Sequence, residues 1–254
     1  MRTLKFFFLA TIISIVALAC YEVNDSVTIN SNGSGSYVAK MDMGQMLEML
    51  KSMSTEEDIK KLQKTIDTVV NLGSITDTLS NLSKEQRELF HNGQIGMKMD
   101  FNNSVFVITT TVPFKSYSQL QTLLQGTGSM SAISGMMKKA LPSTGDQSSG
   151  ADNASPDEVF SAFSVTASKG TIKKTLDAGK FKEIMARPEM QQYTQMGGAG
   201  IEIPYTTTIN LPSAVTALTG TNATLSADKK TVTIKYNFLS LFDNPEQLNY
   251  SISF

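Results

Sequence analysis

Short segments of alternating apolar and polar residues recur along this chain, divided by turn-forming residues and interspersed with capped helical stretches. Val27 and Ile29 alternate with Thr28 and Asn30, Ser31-Asn32-Gly33-Ser34-Gly35 turns the chain, and Tyr37, Ala39, Met41 and Met43 share a face on the return. Asn-Gly between alternating segments signals a hairpin, because both residues tolerate positive φ. Gln94–Phe101 and Val105–Val112 flank a turn at Asn102-Asn103-Ser104, with Pro113 expected to end the second strand. Phe160–Ser168 and Thr171–Leu176 flank Lys169-Gly170. Further strands are expected at 201–211, 223–225, 231–238 and 248–254. Helices are expected at 44–53, 117–125 and within 178–196, where Pro188 opens a new first turn. Ser54-Thr55-Glu56-Glu57 reads as a capping box starting a helix to Leu72, with Ile59, Leu62, Ile66, Val69 and Val70 on one stripe and Gly73 as its stop. Ser83-Lys84-Glu85-Gln86 repeats the box before a short helix. Hairpins mixed with separate helices predict an α+β fold. Its sheet is largely antiparallel, built from hairpins, with several amphipathic helices packed on one face.

With 254 residues, the chain can bury a substantial core. Residues 26–254 are expected to form one α+β domain with a flexible insertion near 142–156, or two subdomains at 26–125 and 157–254. The formal net charge of −1 argues against nucleic acid as a partner, because phosphate binding needs a positive field. A single Cys excludes an intramolecular disulfide, a CxxC redox pair and a Cys-rich zinc site.

Residues 1–19 read as a signal peptide. Arg2 and Lys5 make a positive start, Phe6 to Leu18 is apolar apart from Thr11 and Ser14, and Ala17-Leu18-Ala19 precedes Cys20. Cys20 stands where the cut would fall. This resembles the lipobox of bacterial lipoproteins, in which the Cys is acylated and becomes the first mature residue. That resemblance implies lipidation at Cys20, a membrane partner through the N-terminal anchor and a place in the bacterial cell envelope. Tyr21 after Cys20, where an Asp is absent, resembles the pattern sorted to the outer membrane. Removing residues 1–19 takes away Arg2 and Lys5 and leaves 20 basic against 23 acidic residues, a net −3. Residues 20–25 are expected to be a short polar tether, and no later run of 18 or more apolar residues predicts a membrane crossing.

Met43, Met46 and Met49 are spaced by three, with Met41 and Met53 nearby. Thioethers favour Cu(I), so this run could hold copper. Met46, Met49, Leu50 and Met53 equally describe an ordinary apolar helix stripe bound for the core. Met also lines adaptable apolar grooves. The groove reading makes Met41, Met43, Met46, Met49 and Met53, with Ile95, Met97 and Met99, the candidate ligand-binding residues. No metal site and no cofactor is expected.

Catalysis finds little support. His91 is the only histidine, and any His-dependent triad would have to use it. Glu56-Glu57-Asp58, Glu85/Glu88 and Asp157-Glu158 fall at expected helix starts, where negative charge is favoured anyway. Gly197-Gly198-Ala199-Gly200 lacks the Lys-Ser/Thr of a P-loop. Lys173-Lys174 and Lys229-Lys230 read as solvated turn or strand residues. Leu248–Phe254 alternates and ends in an aromatic, as barrel strands do, but reads as the closing strand of a soluble sheet.

Cys20, the strand–Asn32-Gly33-Ser34-Gly35–strand unit and the turn-strand Asp228-Lys229-Lys230-Thr231-Val232 together resemble the LppM-type lipoprotein domain. That resemblance implies a mixed α/β fold with an apolar cavity for lipid. The expected function is a non-enzymatic, membrane-tethered module binding an apolar or lipid-like ligand or an envelope protein. The alternatives are a structural lipoprotein acting by protein contacts, and Met-based copper binding.

Overall fold

The computed structural model describes residues 22–54, 65–76, 82–125, 156–198 and 202–254. The expected signal peptide, Cys20, Ile59, Leu62 and residues 142–155 of the expected 142–156 insertion lie outside the described residues. Within them the chain is α+β and largely antiparallel, as expected, with twelve strands and six helices.

The strands divide between two sheets. The larger is built from β1 (Glu22–Ile29), β2 (Gly35–Asp42), β3 (Thr65–Asn71), β4 (Gln94–Asp100), β5 (Val105–Phe114), β8 (Pro204–Asn210), β10 (Ala223–Leu225) and β11 (Thr231–Asn237). The smaller holds β6 (Phe163–Ser168), β7 (Thr171–Leu176), β9 (Ala217–Thr219) and β12 (Tyr250–Ser253). Their orders are β10-β11-β8-β1-β2-β5-β4-β3 and β6-β7-β12-β9. β1 and β8 run parallel, with Val23 beside Tyr205 and Val27 beside Ile209. The other described pairings are antiparallel.

The helices are α1 (Gly44–Met53), α2 (Gly73–Thr76), α3 (Lys84–His91), α4 (Tyr117–Leu124), α5 (Ala178–Met185) and α6 (Pro188–Gly198). In α3 both halves of the capping box form: the Ser83 hydroxyl accepts from Gln86 N, and the Gln86 side chain accepts from Ser83 N. Three 3-10 segments, Pro156–Ala162, Phe238–Phe242 and Pro245–Leu248, tighten the connections.

Register defines one inward face on the large sheet. Tyr236, Tyr205, Val23, Met41, Ile108 and Met97 form one row across the strands. Ile234, Thr207, Asp25, Ala39, Thr110 and Ile95 form the next. The small sheet turns Phe163, Val165, Ile172, Tyr250 and Ile252 inward, and buried residues of both sheets belong to one contiguous core.

Several boundaries correct the sequence reading, and Pro113 marks one: it lies opposite Ser36 inside β5, which runs on to Phe114 instead of ending at Val112. Thr65–Asn71 is a strand, where a helix to Leu72 was expected. Ile66 and Val70 satisfy a helical spacing and an alternating one alike, and the β-branched run Thr65, Ile66, Thr68, Val69, Val70 favours the pleated choice beside β4. β1 starts at Glu22, so four residues of the expected tether are strand. Phe160 to Ala162 are 3-10 turn, not strand.

The β1–β2 hairpin leaves little latitude at its turn. Gly33 adopts φ 83°, and a Cβ at Gly35 would overlap the Thr28 carbonyl oxygen and the Phe114 ring. Gly35→Ala is expected to lower stability by about 2–3 kcal/mol, as overpacking against backbone does, read as a lower denaturant midpoint at unchanged slope.

Candidate functional site

Between the two sheets lies a cavity of about 40 Å³, room for roughly three waters. Asp25 of β1, Tyr37 of β2, Tyr205 and Thr207 of β8 and Tyr236 of β11 line it from the large sheet, and Lys174 of β7 and Tyr250 of β12 from the small one. Leu123, Leu124, Phe160 and Leu248 complete its wall.

The alternation of β1 puts Asp25 there. Val23, Val27 and Ile29 are buried, and Asp25 occupies the inward position between them. Its backbone is opposite Ala39 and Thr207, which makes Tyr37 and Tyr205 its diagonal neighbours on the flanking strands. Both hydroxyls donate to the carboxyl group. Oδ1 is covered and has no hydrogen-bond partner. Burial pushes the carboxyl up from 3.8 to about 7, against the Tyr37 bond, the Lys174 charge and the Tyr205 bond, which all pull it down.

Lys174 faces Asp25 from the small sheet, between Tyr250 on β12 and Val165 on β6. It is 9% exposed, and Nζ donates to Leu124 O at 3.4 Å. The ammonium also lies 5.3 Å from the Phe160 ring centre and 5.4 Å from that of Phe163, so aromatic faces replace part of its water. Burial draws its pKa down from 10.5 to about 8, while the Asp25 charge holds it up. The Tyr250 phenol is pushed well above its ordinary range by burial and by Asp25. The expectation that Lys173-Lys174 is a solvated pair therefore holds for Lys173, which is exposed, and fails for Lys174. In β7 the inward parity of Ile172 falls on Lys174.

Tyr205 and Tyr236 stack at 4.9 Å between ring centres, and Phe160 leans on Tyr205 at 6.1 Å. The resulting wall is aromatic and close-packed. Its polar groups surround a carboxyl group whose Oδ1 has no hydrogen-bond partner. A ligand group with a hydrogen-bond donor has an acceptor waiting there.

Lys174 and Tyr250 also line a second, open cleft of about 520 Å³, with Thr219, Asn222, Asn244, Gln247 and Asn249. Its amides are largely engaged within the protein. Gln247 donates to Ser240 Oγ at 2.7 Å and Asn244 O at 2.9 Å, and Asn249 Oδ1 accepts from Leu176 N at 2.7 Å.

The expected ligand residues lie elsewhere. Met41 and Met97 flank Ile108 across β2, β5 and β4, and Met99 sits beside Phe106. Ile95 is buried, and Met41, Met43 and Met97 pack partly buried against the core. Met46, Met49 and Met53 are on α1, where Leu47 is the buried residue. The structure thus gathers Met41, Ile95, Met97 and Met99 on one sheet face. None of the eight lines either cavity. Asp25 and Lys174 were missed: each stands at an inward position of its strand, but only the distant partner strands show which face is inward. Among the described residues no group of His, Cys, Asp and Glu is placed to hold a metal, and no helix is long and apolar enough to cross a membrane.

No protein-family model and no curated protein sequence matches the chain. Among solved structures, the chain is similar to the folded domain of LppM from Mycobacterium tuberculosis, determined by NMR. The two share 11% identity over 92% of this chain and 88% of that one, with a TM-score of 0.34.

Proposed function

We propose that the protein is a non-enzymatic, lipid-anchored binding protein of the bacterial cell envelope that takes the polar end of an amphiphilic ligand between its sheets. The covered, unpaired Oδ1 of Asp25 carries this reading. An unsatisfied buried acceptor costs about 1–3 kcal/mol, and a donor arriving from a ligand removes that cost. The cavity of about 40 Å³ admits only a small polar group, so the apolar remainder of the ligand lies outside it. The acylated Cys20 supplies the anchor and keeps the site beside a source of amphiphiles.

Native mass spectrometry of the full-length protein after mild extraction tests this. Wild type is expected to carry a bound amphiphile. Asp25→Asn, which presents a donor where the acceptor was, is expected to lower occupancy about tenfold or more, the equivalent of a lost charged hydrogen bond. A wild type without ligand, or equal loading of the variant, overturns the reading.

A further inference from the structure

α1 buries little of the apolar surface it carries. Leu47 is its buried residue, Met46 and Met49 are half-buried, and Leu50 and Met53 are 42% and 54% exposed. Met46, Leu50 and Met53 stand at i, i+4 and i+7, on one side of the helix. The stripe that reads as core in the sequence therefore faces outward along much of its length.

The helix is held at one end of the large sheet. Met43 N donates to Phe106 O at 2.8 Å as β2 runs into α1. Lys51 Nζ donates to Asn102 O at 2.9 Å and Ser104 Oγ at 3.1 Å in the β4–β5 turn, and lies 5.9 Å from the Phe101 ring centre. The same end holds the start of β1, where Glu22 pairs with Asp42 and Asp42 with Val107. Cys20 is two residues before Glu22. Two trans peptide steps span at most about 7.6 Å, so an acyl anchor on Cys20 brings a bilayer surface against this end of the sheet.

We infer that α1 docks on the bilayer, with Leu50 and Met53 entering the interface and Met46 and Met49 beside them. The inference rests on the acylation of Cys20. The bilayer is the occupant because the anchor places it within reach of the stripe before any other partner arrives. Charges around the helix are mixed: Glu22, Asp42 and Glu48 against Lys40, Lys51 and Lys98. Docking is therefore driven by apolar burial and is indifferent to anionic lipid.

The test uses full-length acylated protein carrying Leu50→Cys, Met53→Cys or, as control, Leu225→Cys. Leu225 is also exposed and lies toward the opposite end of the sheet, in the row of Val232, Ile209 and Val27. Each is labelled with an environment-sensitive fluorophore and reconstituted into phosphatidylcholine vesicles containing doxyl lipid. Lipid doxyl groups are expected to quench the labels at 50 and 53 about twofold or more, as for groups about 5–10 Å into the interface, and to leave the label at 225 unchanged. Vesicle flotation separates the two readings. Protein that fails to float with vesicles overturns the anchor and the docking together. Protein that floats while aqueous iodide quenches all three labels alike overturns the docking alone. Labels at 50 and 53 shielded from iodide and doxyl lipid alike also overturn it, because the helix is then covered by protein.

Discussion

The double variant Asp25→Asn/Lys174→Met is expected to be more stable than wild type by about 2–3 kcal/mol at neutral pH, measured by denaturant titration, within the range seen when buried ion pairs are replaced by neutral groups. Both pKa shifts run against ionisation in the folded protein: Asp25 rises to about 7 and Lys174 falls to about 8. Their mutual attraction thus fails to repay what each charge loses in leaving water. Asn keeps an acceptor for the Tyr37 and Tyr205 hydroxyls, and Met keeps a long apolar stem among Phe160, Phe163 and Leu124. The double variant removes two charges and keeps the partner of both tyrosines, giving up only the long 3.4 Å bond from Nζ to Leu124 O. Lys174→Met alone is expected to gain less at pH 7, because Asp25 then has only protonation to relieve it. A double variant less stable than wild type would show that the pair supports the fold and would remove the reason for treating it as a binding device.

Local structure was well marked in the sequence where a single segment carries its own signal. The Ser83 and Gln86 capping box, the Asn32-Gly33 turn, the Lys169-Gly170 hairpin and Pro188 at the head of α6 all act within a few residues. What depended on distant partners was not readable. The parallel pairing of β1 with β8 joins residues about 180 positions apart, and it makes β1 an interior strand beginning at Glu22. Without it, Glu22–Asp25 reads as a polar tether, and Asp25 passes for a solvated charge. Lys174 was hidden the same way, because a Lys-Lys pair on a lone hairpin has no second sheet above it. The Met stripe of α1 shows the complementary ambiguity. Spacing establishes that Met46, Leu50 and Met53 share a side, and the tertiary arrangement decides whether that side meets protein, lipid or water.

The same pair makes a second prediction, in pH. Asp25 keeps its proton to about pH 7 in the folded protein and loses it near 3.8 when unfolded. Between those values the folded state binds more protons, so this group's contribution falls as pH rises, by about 1.4 kcal/mol per unit. Lys174 behaves oppositely. The folded state releases its proton near pH 8 and the unfolded state near 10.5, so its contribution recovers as pH rises through that window. Together they place a stability minimum between about pH 7 and 8, where both groups are charged and buried. Other carboxylates oppose the acid limb: Asp100 is held below its ordinary range by Asn103, and Asp228 by Ser226 and Lys230. Subtracting the profile of Asp25→Asn isolates the Asp25 limb. Relative to that variant, wild type is expected to lose on the order of 3–4 kcal/mol between pH 4 and pH 7, followed by urea midpoints across the range. A difference profile that stays flat, or that rises with pH, would mean that Asp25 ionises freely in the folded protein. Its unpaired oxygen would then be solvated, leaving a ligand donor with nothing to relieve.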